Sequence, residues 1–184
     1  MDARSIACLK IVLQDVAPPV RRSVEVPLSI QLHRLHLVVQ AAMGWTNSHL
    51  YEIRAGNLEW GIIDPVDFAS RLDAREARLC DLLGYSNEFT YLYDFGDGWE
   101  HTITVAQIVD PAAGTRYPRL VEAIGRCPPE DVGGPWRYAD FREAIRNPSH
   151  EFHAQFKEWA GDDFDPDVVN FELLAKAVEQ LDQR

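Results

Sequence analysis

Two alternating runs, residues 88–95 and 99–108, flank Asp97-Gly98, and no other stretch of the chain restricts the fold as strongly. Alternation sends successive side chains to opposite faces of a strand, and an Asp-Gly pair accepts the positive φ angles that a two-residue hairpin turn demands. With those two residues as the loop, Gly96 faces Trp99, Phe95 faces Glu100, Asp94 faces His101, Leu92 faces Ile103 and Thr90 faces Val105. This register gathers Asp94, His101, Leu92, Ile103, Thr90 and Val105 on one face and Phe89, Tyr91, Tyr93 and Phe95 on the other. A slip of one residue would exchange the two sets.

Two further hairpins are predicted upstream. Residues 6–13 and 22–26 are strand-like and are separated by Pro18-Pro19, and residues 49–54 and 58–62 flank the turn dipeptide Gly56-Asn57. Between these hairpins Ser29 is suited to cap a helix whose apolar positions Leu32, Leu35, Val39 and Ala42 share one face, with Gly44 as its stop. Residues 64–78 read as loop, and residues 79–84 as a helical turn closed by Gly84.

The last third is helical in pattern. Tyr138, Phe141 and Ile145 share a face, as do Phe152, Phe156 and Trp159, and then Phe171, Leu174, Val178 and Leu181. Pro148 and residues 161–166 separate the three helices. The expected architecture is α+β, with a mainly antiparallel sheet of about six strands in hairpins, an early helix packed on it and a helical C-terminal third. A chain of 184 residues forms this as a single domain with its own core.

Charge narrows the partners. The chain carries 18 Lys and Arg against 29 Asp and Glu, a formal net charge of -11. The excess lies downstream of residue 50, and residues 86–110 and 158–175 hold no Lys or Arg at all. Such segments repel phosphate backbones, so direct nucleic-acid binding is not expected. A metal ion, a small ligand or a protein partner with cationic groups suits the field. No run approaches the roughly 18 apolar residues of a membrane span, and Lys10 interrupts the apolar stretch at the N-terminus, which lacks a small-residue cleavage site. Cys8, Cys80 and Cys127 are an odd number at wide spacing, so reduced thiols and a cytoplasmic location are expected.

Signatures of zinc proteases, phosphate-binding loops, serine hydrolases and dinucleotide-binding folds are all missing. Two segments remain as candidates. The first, Tyr93-Asp94-Phe95-Gly96-Asp97-Gly98-Trp99-Glu100-His101, packs carboxylates, an imidazole and aromatic rings around a turn. Oxygen ligands suit Mg²⁺, Ca²⁺ or Mn²⁺, and a histidine extends the choice to Zn²⁺ or Fe²⁺. The same residues also serve a plain hairpin, with Asp97 in the turn, Asp94 and His101 as a cross-strand pair, and the aromatics in the core. The second segment, Pro128-Pro129-Glu130-Asp131-Val132-Gly133-Gly134, is a stiff entry followed by a flexible reversal that presents two acids; a helix entry would use much the same residues.

Candidate binding residues are therefore Tyr93, Asp94, Asp97, Trp99, Glu100, His101, Glu130, Asp131, Gly133 and Gly134. Should a divalent metal be the cofactor, Asp94, His101 and Glu130 are its expected ligands. The pairs His33 with His36 and His150 with His153 have helical spacing but no third ligand. Cys127 beside Arg126 has no base near it in sequence and reads as a buried thiol. The acids in residues 162–167 match a calcium loop in composition alone.

These motifs, with Leu35-His36, Gln40, Met43-Gly44-Trp45 and His49-Leu50, resemble the plasmid pRi ORF-three-like family of bacterial and archaeal proteins over nearly the whole chain, from about Ile6 to the final helix. The family usually carries Trp where this chain has Arg21. The resemblance implies no activity, because none is established for the family, and labels linking members to plasmids and transposons describe gene neighbourhood. The expected function is a ligand- or partner-binding domain with an acidic and aromatic surface. The alternatives are a divalent-metal-dependent hydrolase using Asp94, Asp97, His101 and Glu130, and an accessory protein of plasmid or transposon mobilisation that acts through a protein partner.

Overall fold

The computed structural model describes residues 4–63, 71–161 and 164–183. Eight strands form one sheet: β1 (Ile6–Leu13), β2 (Val20–Pro27), β3 (Tyr51–Ala55), β4 (Leu58–Gly61), β5 (Leu72–Asp73), β6 (Glu88–Tyr93), β7 (Trp99–Val109) and β8 (Arg119–Ile124). Their order is β5-β4-β3-β6-β7-β1-β2-β8, antiparallel throughout except for the two-residue pairing of β5 with β4. The helices are α1 (Leu32–Met43), α2 (Leu79–Leu82), α3 (Gly134–Arg146), α4 (His153–Ala160) and α5 (Phe171–Glu179). The α+β architecture, the early helix and the helical C-terminal third agree with the sequence pattern. The sheet has two strands more than expected.

One face of the sheet is covered and the other open, as alternation in antiparallel strands requires. Leu9, Ile11 and Leu13 of β1, Val20, Val24 and Val26 of β2, and Ile103 of β7 are buried. Helix α1 lays Leu32, Leu35, Val38, Val39 and Ala42 on the core with essentially no exposure. Each such leucine or valine contributes about 1.5–3 kcal/mol by leaving water. Helix α5 packs on α1 and on β8, so the C-terminal third closes the same layer. Arg21 lies on the open face between Val12 and Ile124, so the position of the family's usual tryptophan is exposed here.

The third hairpin differs from the expected register. Tyr93 pairs with Trp99, Leu92 with Glu100, Tyr91 with His101 and Phe89 with Ile103. The loop is longer than Asp97-Gly98 because Asp94 builds it. Its Oδ1 accepts the amides of Gly96 at 2.9 Å and Asp97 at 3.3 Å, and its carbonyl accepts the amide of Gly98 at 2.6 Å. The faces change accordingly. Phe89, Tyr91, Tyr93, Trp99, His101 and Ile103 are buried, while Glu100 is exposed on the open face.

Helix α1 begins later than Ser29. Gln31 precedes it without a side-chain cap, and the first amides of the helix instead meet backbone carbonyls: Leu32 N donates to Ala77 O at 2.9 Å and His33 N to Ala74 O at 3.0 Å. The segment after β5 thus does the capping, which no spacing near the helix start reveals. Of the loop expected over residues 64–78, residues 64–70 lie outside the described residues, as do Asp162 and Asp163. No helix among the described residues is long and apolar enough to cross a membrane.

Candidate functional site

At one corner of the sheet the turn between β6 and β7, the segment after α1 and the loop before α3 meet. The segment after α1 is tied down first. Gly44 stops the helix with φ at +85°, and Trp45 tucks under the sheet, stacked on Tyr93 with ring centroids 4.9 Å apart. Its indole Nε1–H donates to the carbonyl of Pro128 at 2.9 Å, joining this segment to the loop before α3. Behind it Gln40, His36, Asn47 and Tyr91 form a closed network. Tyr91 Oη accepts from Gln40 Nε2 at 2.9 Å and lies 2.8 Å from His36 Nδ1, whose Nε2 is 2.6 Å from Asn47 Oδ1. Both ring nitrogens of His36 are engaged, so its helical spacing with His33 leaves no free ring nitrogen at His36 for a metal.

Glu130 organises the corner. Its Oε1 accepts the Tyr93 hydroxyl in a short hydrogen bond, and its Oε2 accepts both the amide and the hydroxyl of Thr46. Burial works against the carboxylate, but the hydrogen bonds from Thr46 and Tyr93 outweigh it and hold Glu130 below the usual glutamate range. Tyr93 is pushed up, by burial first and by the Glu130 carboxylate second. The Tyr93 oxygen also accepts the amides of Ser48 at 3.0 Å and His49 at 3.3 Å. One acid and one phenol therefore set the position of His49.

His49 faces two aspartates. Its Nε2 lies 3.0 Å from Asp131 Oδ1 and 3.6 Å from Asp94 Oδ2, the Asp94 oxygen not consumed by the turn. Both contacts are charge contacts rather than hydrogen bonds, and Nε2 is buried without a hydrogen-bond partner among the described residues. Among the described residues this is the one group of three His, Cys, Asp or Glu side chains placed to hold an ion, with ligand atoms all within 4.8 Å of one another. Asp94 and Asp131 both adopt left-handed backbone, with φ of 55° and 62°. Aspartate tolerates that conformation better than most residues, and two such residues at one ion-sized gap concentrate local strain where three side chains converge.

The loop before α3 is locked onto the turn by backbone. Gly133 N–H donates to Asp97 Oδ2 at 3.0 Å, and Gly134, with φ at +82°, comes so close that a Cβ would stand 2.5 Å from Asp97 O. Phe95 in the turn is 41% exposed, with the Arg71 guanidinium 4.9 Å from its ring centroid, and Trp136, two residues beyond Gly134, is 89% exposed.

Of the ten candidates, Tyr93, Asp94, Asp97, Glu130, Asp131, Gly133 and Gly134 are brought together, and three are not. Trp99 is core, Glu100 faces the open side, and His101 is fully buried with Nδ1 near the carbonyls of Trp99 and Tyr91 at 3.1 and 3.2 Å. Burial lowers His101 to about 4. The set Asp94, His101 and Glu130 does not converge, because the longer loop turns Asp94 away from His101 and the two oxygens of Glu130 are occupied. His49 stands where His101 was expected. Its signals in the sequence are the His49-Leu50 of the family resemblance and a polar stretch, Thr46-Asn47-Ser48-His49, shortly after a helix stop. Cys127 is buried, which raises its thiol to about 12, and His153 Nδ1 is held by Ala144 O at 2.7 Å.

Known proteins resemble this chain in sequence and in fold. An uncharacterized protein of Sinorhizobium fredii, y4hQ, is 50% identical over 180 residues, covering 96% of this chain and 92% of its own. The crystal structure of a protein of unknown function from Methanosarcina mazei Go1 superposes with a TM-score of 0.84 at 28% identity, covering 95% of this chain and 97% of the other. The family model described as plasmid pRiA4b ORF-3-like protein matches residues 5–173. With that match running from the first strand into the last helix, the chain belongs to the plasmid pRiA4b ORF-3-like family.

Proposed function

We propose that this protein is a binding domain whose working surface is the corner of His49, Asp94 and Asp131, and that it engages its ligand through a divalent cation held there. The observation that carries the reading is the convergence of His49 Nε2, Asp94 Oδ2 and Asp131 Oδ1 within 4.8 Å, with the nitrogen bonded to neither acid. One imidazole and two carboxylates suit Zn²⁺, Mn²⁺ or Fe²⁺ better than an all-oxygen ion such as Ca²⁺. Three protein ligands leave positions open for a ligand group or a water. Asp131 has 69% of its side chain exposed while His49 Nε2 is buried, so the cluster opens to solvent on the Asp131 side. Phe95 of the same turn and Trp136 of the following helix are exposed aromatic residues available to the rest of the ligand. Glu130 acts as a positioning residue, since it orients His49 through Tyr93.

Hydrolysis is the second reading, favoured by those same open positions, because a metal-bound water is a nucleophile at neutral pH. Action in the cytoplasm is supported by three unpaired cysteines. Isothermal titration of the chelator-stripped protein with Mn²⁺ and Zn²⁺ tests the proposal. One ion per chain is expected, with affinity lost in His49→Ala and in Asp94→Asn and retained in Glu100→Gln. Equal binding by all four proteins, or no binding by the unmodified one, overturns it.

A further inference from the structure

Arg22 is the anomaly of the covered sheet face. Val20, Val24 and Val26 alternate into the core along β2, and Arg22 sits among them at 1% exposure. Its Nε donates to Ala42 O at 2.7 Å, and Nη1 donates to Arg21 O at 2.7 Å, Ile124 O at 2.9 Å and Gly125 O at 3.1 Å. Among the described residues Nη2 has no hydrogen-bond partner and no carboxylate pairs with the guanidinium. A whole positive charge is therefore buried against carbonyl dipoles alone. Desolvation opposes that charge, and so does the neighbouring Arg126. Burying an uncompensated charge is costly, so an anion that completed Arg22 would be strongly favoured.

Arg22 lies on the wall of a cavity of about 250 Å³ between the end of α1, the loop after β8 and the start of α5. Arg126 is on the same wall. Its guanidinium lies over the Phe164 ring, 4.9 Å from the centroid, and Nη1 donates to Val168 O at 3.3 Å, with no ion pair among the described residues. Glu130 also borders the cavity, but its oxygens are spent on Thr46 and Tyr93. Much of the remaining lining is apolar, from Met43 and Trp45 to Leu173 and Leu174. Two arginines without acidic partners, in a chain of net charge -11, are a local arrangement against the general field.

We infer that this cavity binds a small organic carboxylate with an apolar body, its carboxylate on Arg22 and Arg126 and its body against Trp45, Leu173 and Leu174. The space accepts roughly ten non-hydrogen atoms. A monoanion fits better than a phosphate dianion, because most donors of Arg22 are already used and Glu130 stands nearby. None of His49, Asp94 and Asp131 lines this cavity, although Trp45 and Glu130 border both sites.

Sodium hexanoate is a suitable probe, followed by ¹H–¹⁵N NMR at the Trp45 indole, with hexanamide as the neutral match and inorganic phosphate as the anion without a body. Saturable shifts are expected with hexanoate at a dissociation constant on the order of 0.1–1 mM, and binding about ten-fold weaker or more with hexanamide. Arg126→Gln should weaken hexanoate by about ten-fold, and Leu173→Trp should block it by filling the cavity from an exposed position without touching Arg22. His49→Ala should bind hexanoate unchanged, which separates this site from the proposed cation site. No saturation by about 20 mM hexanoate, equal affinity for hexanamide, a response to phosphate alone, or full binding by Leu173→Trp overturns the inference.

Discussion

Gly134→Ala tests whether the loop before α3 and the turn between β6 and β7 form one assembled unit. A Cβ at Gly134 would stand 2.5 Å from Asp97 O and 3.4 Å from its carbonyl carbon. Both partners are fixed to backbone, so no rotamer change relieves the contact, and the loop must withdraw from the turn. Two costs combine. A left-handed backbone costs an L residue about 1–2 kcal/mol. Withdrawal also stretches the hydrogen bond from Gly133 N–H to Asp97 Oδ2, 3.0 Å in the intact protein. Losing a bond to a charged acceptor costs about 1.5 kcal/mol. Gly98→Ala is the control, because Gly98 has φ at +71° and nothing within 4 Å of its Cβ position. It incurs the first cost alone. Denaturant unfolding should place Gly134→Ala about 3 kcal/mol below the unmodified protein and Gly98→Ala about 1–2 kcal/mol below it. The gap of about 1.5 kcal/mol corresponds to roughly 3–6 °C in melting temperature for a domain of this size. Equal destabilisation by the two substitutions, or a larger effect at Gly98, would refute the account of the loop as docked by close backbone approach.

Trp45→Phe keeps the aromatic contact with Tyr93 but strands the Pro128 carbonyl, so denaturant unfolding should show a loss of about 1–2 kcal/mol; no loss would mean the indole bond does not hold the loop. Glu130 is held below its ordinary value, so its contribution is present above the unfolded glutamate range near 4.5 and fades as pH falls through the folded pKa. The stability difference between the unmodified protein and Glu130→Gln should therefore shrink on acidification, and a constant difference from pH 7 to 3 would contradict it. His36 and His101 are lowered from 6.5 to about 4, chiefly by burial, so the unfolded chain takes up protons that the folded chain refuses. Stability should be fullest above pH 6.5 and decline toward 4, and imidazole ¹⁵N shifts should show both rings neutral at pH 5.5; titration of either ring near 6.5 would sink the assignment.

Strand alternation in β1, β2, β6 and β7 and the apolar faces of α1, α3 and α5 are legible in the sequence because both periods are local. The register of β6 on β7 is not. Asp97-Gly98 reads as a two-residue turn, yet the Asp94 carboxylate captures two further amides and lengthens the loop, which moves His101 and Ile103 onto the face of Tyr91 and Phe89. Strand β8 escaped notice because among its six residues only Leu120 is buried, and its place depends on β2 offering an edge. Tyr93, Asp94, Glu130 and Asp131 could be picked out as a dense cluster of acids and aromatics. His49 stood out in the family resemblance alone, and its meeting with the two aspartates was not legible because it shares no spacing with them.

The sequence by itself thus determined six of the eight strands and the helical segments, that they form an α+β domain with one covered sheet face, and which two acidic motifs depart from core patterning. The tertiary structure alone decided which charges meet. Asp94 lies beside His49 because β6 pairs with β3, and Asp131 joins them because Trp45 and Asp97 hold the loop before α3. Arg22 is buried against the end of α1, although its neighbour Arg21 is exposed, because register assigns one to the covered face and the other to solvent. Backbone hydrogen bonding and burial set these long-range pairings, and neither leaves a mark in the local order of residues.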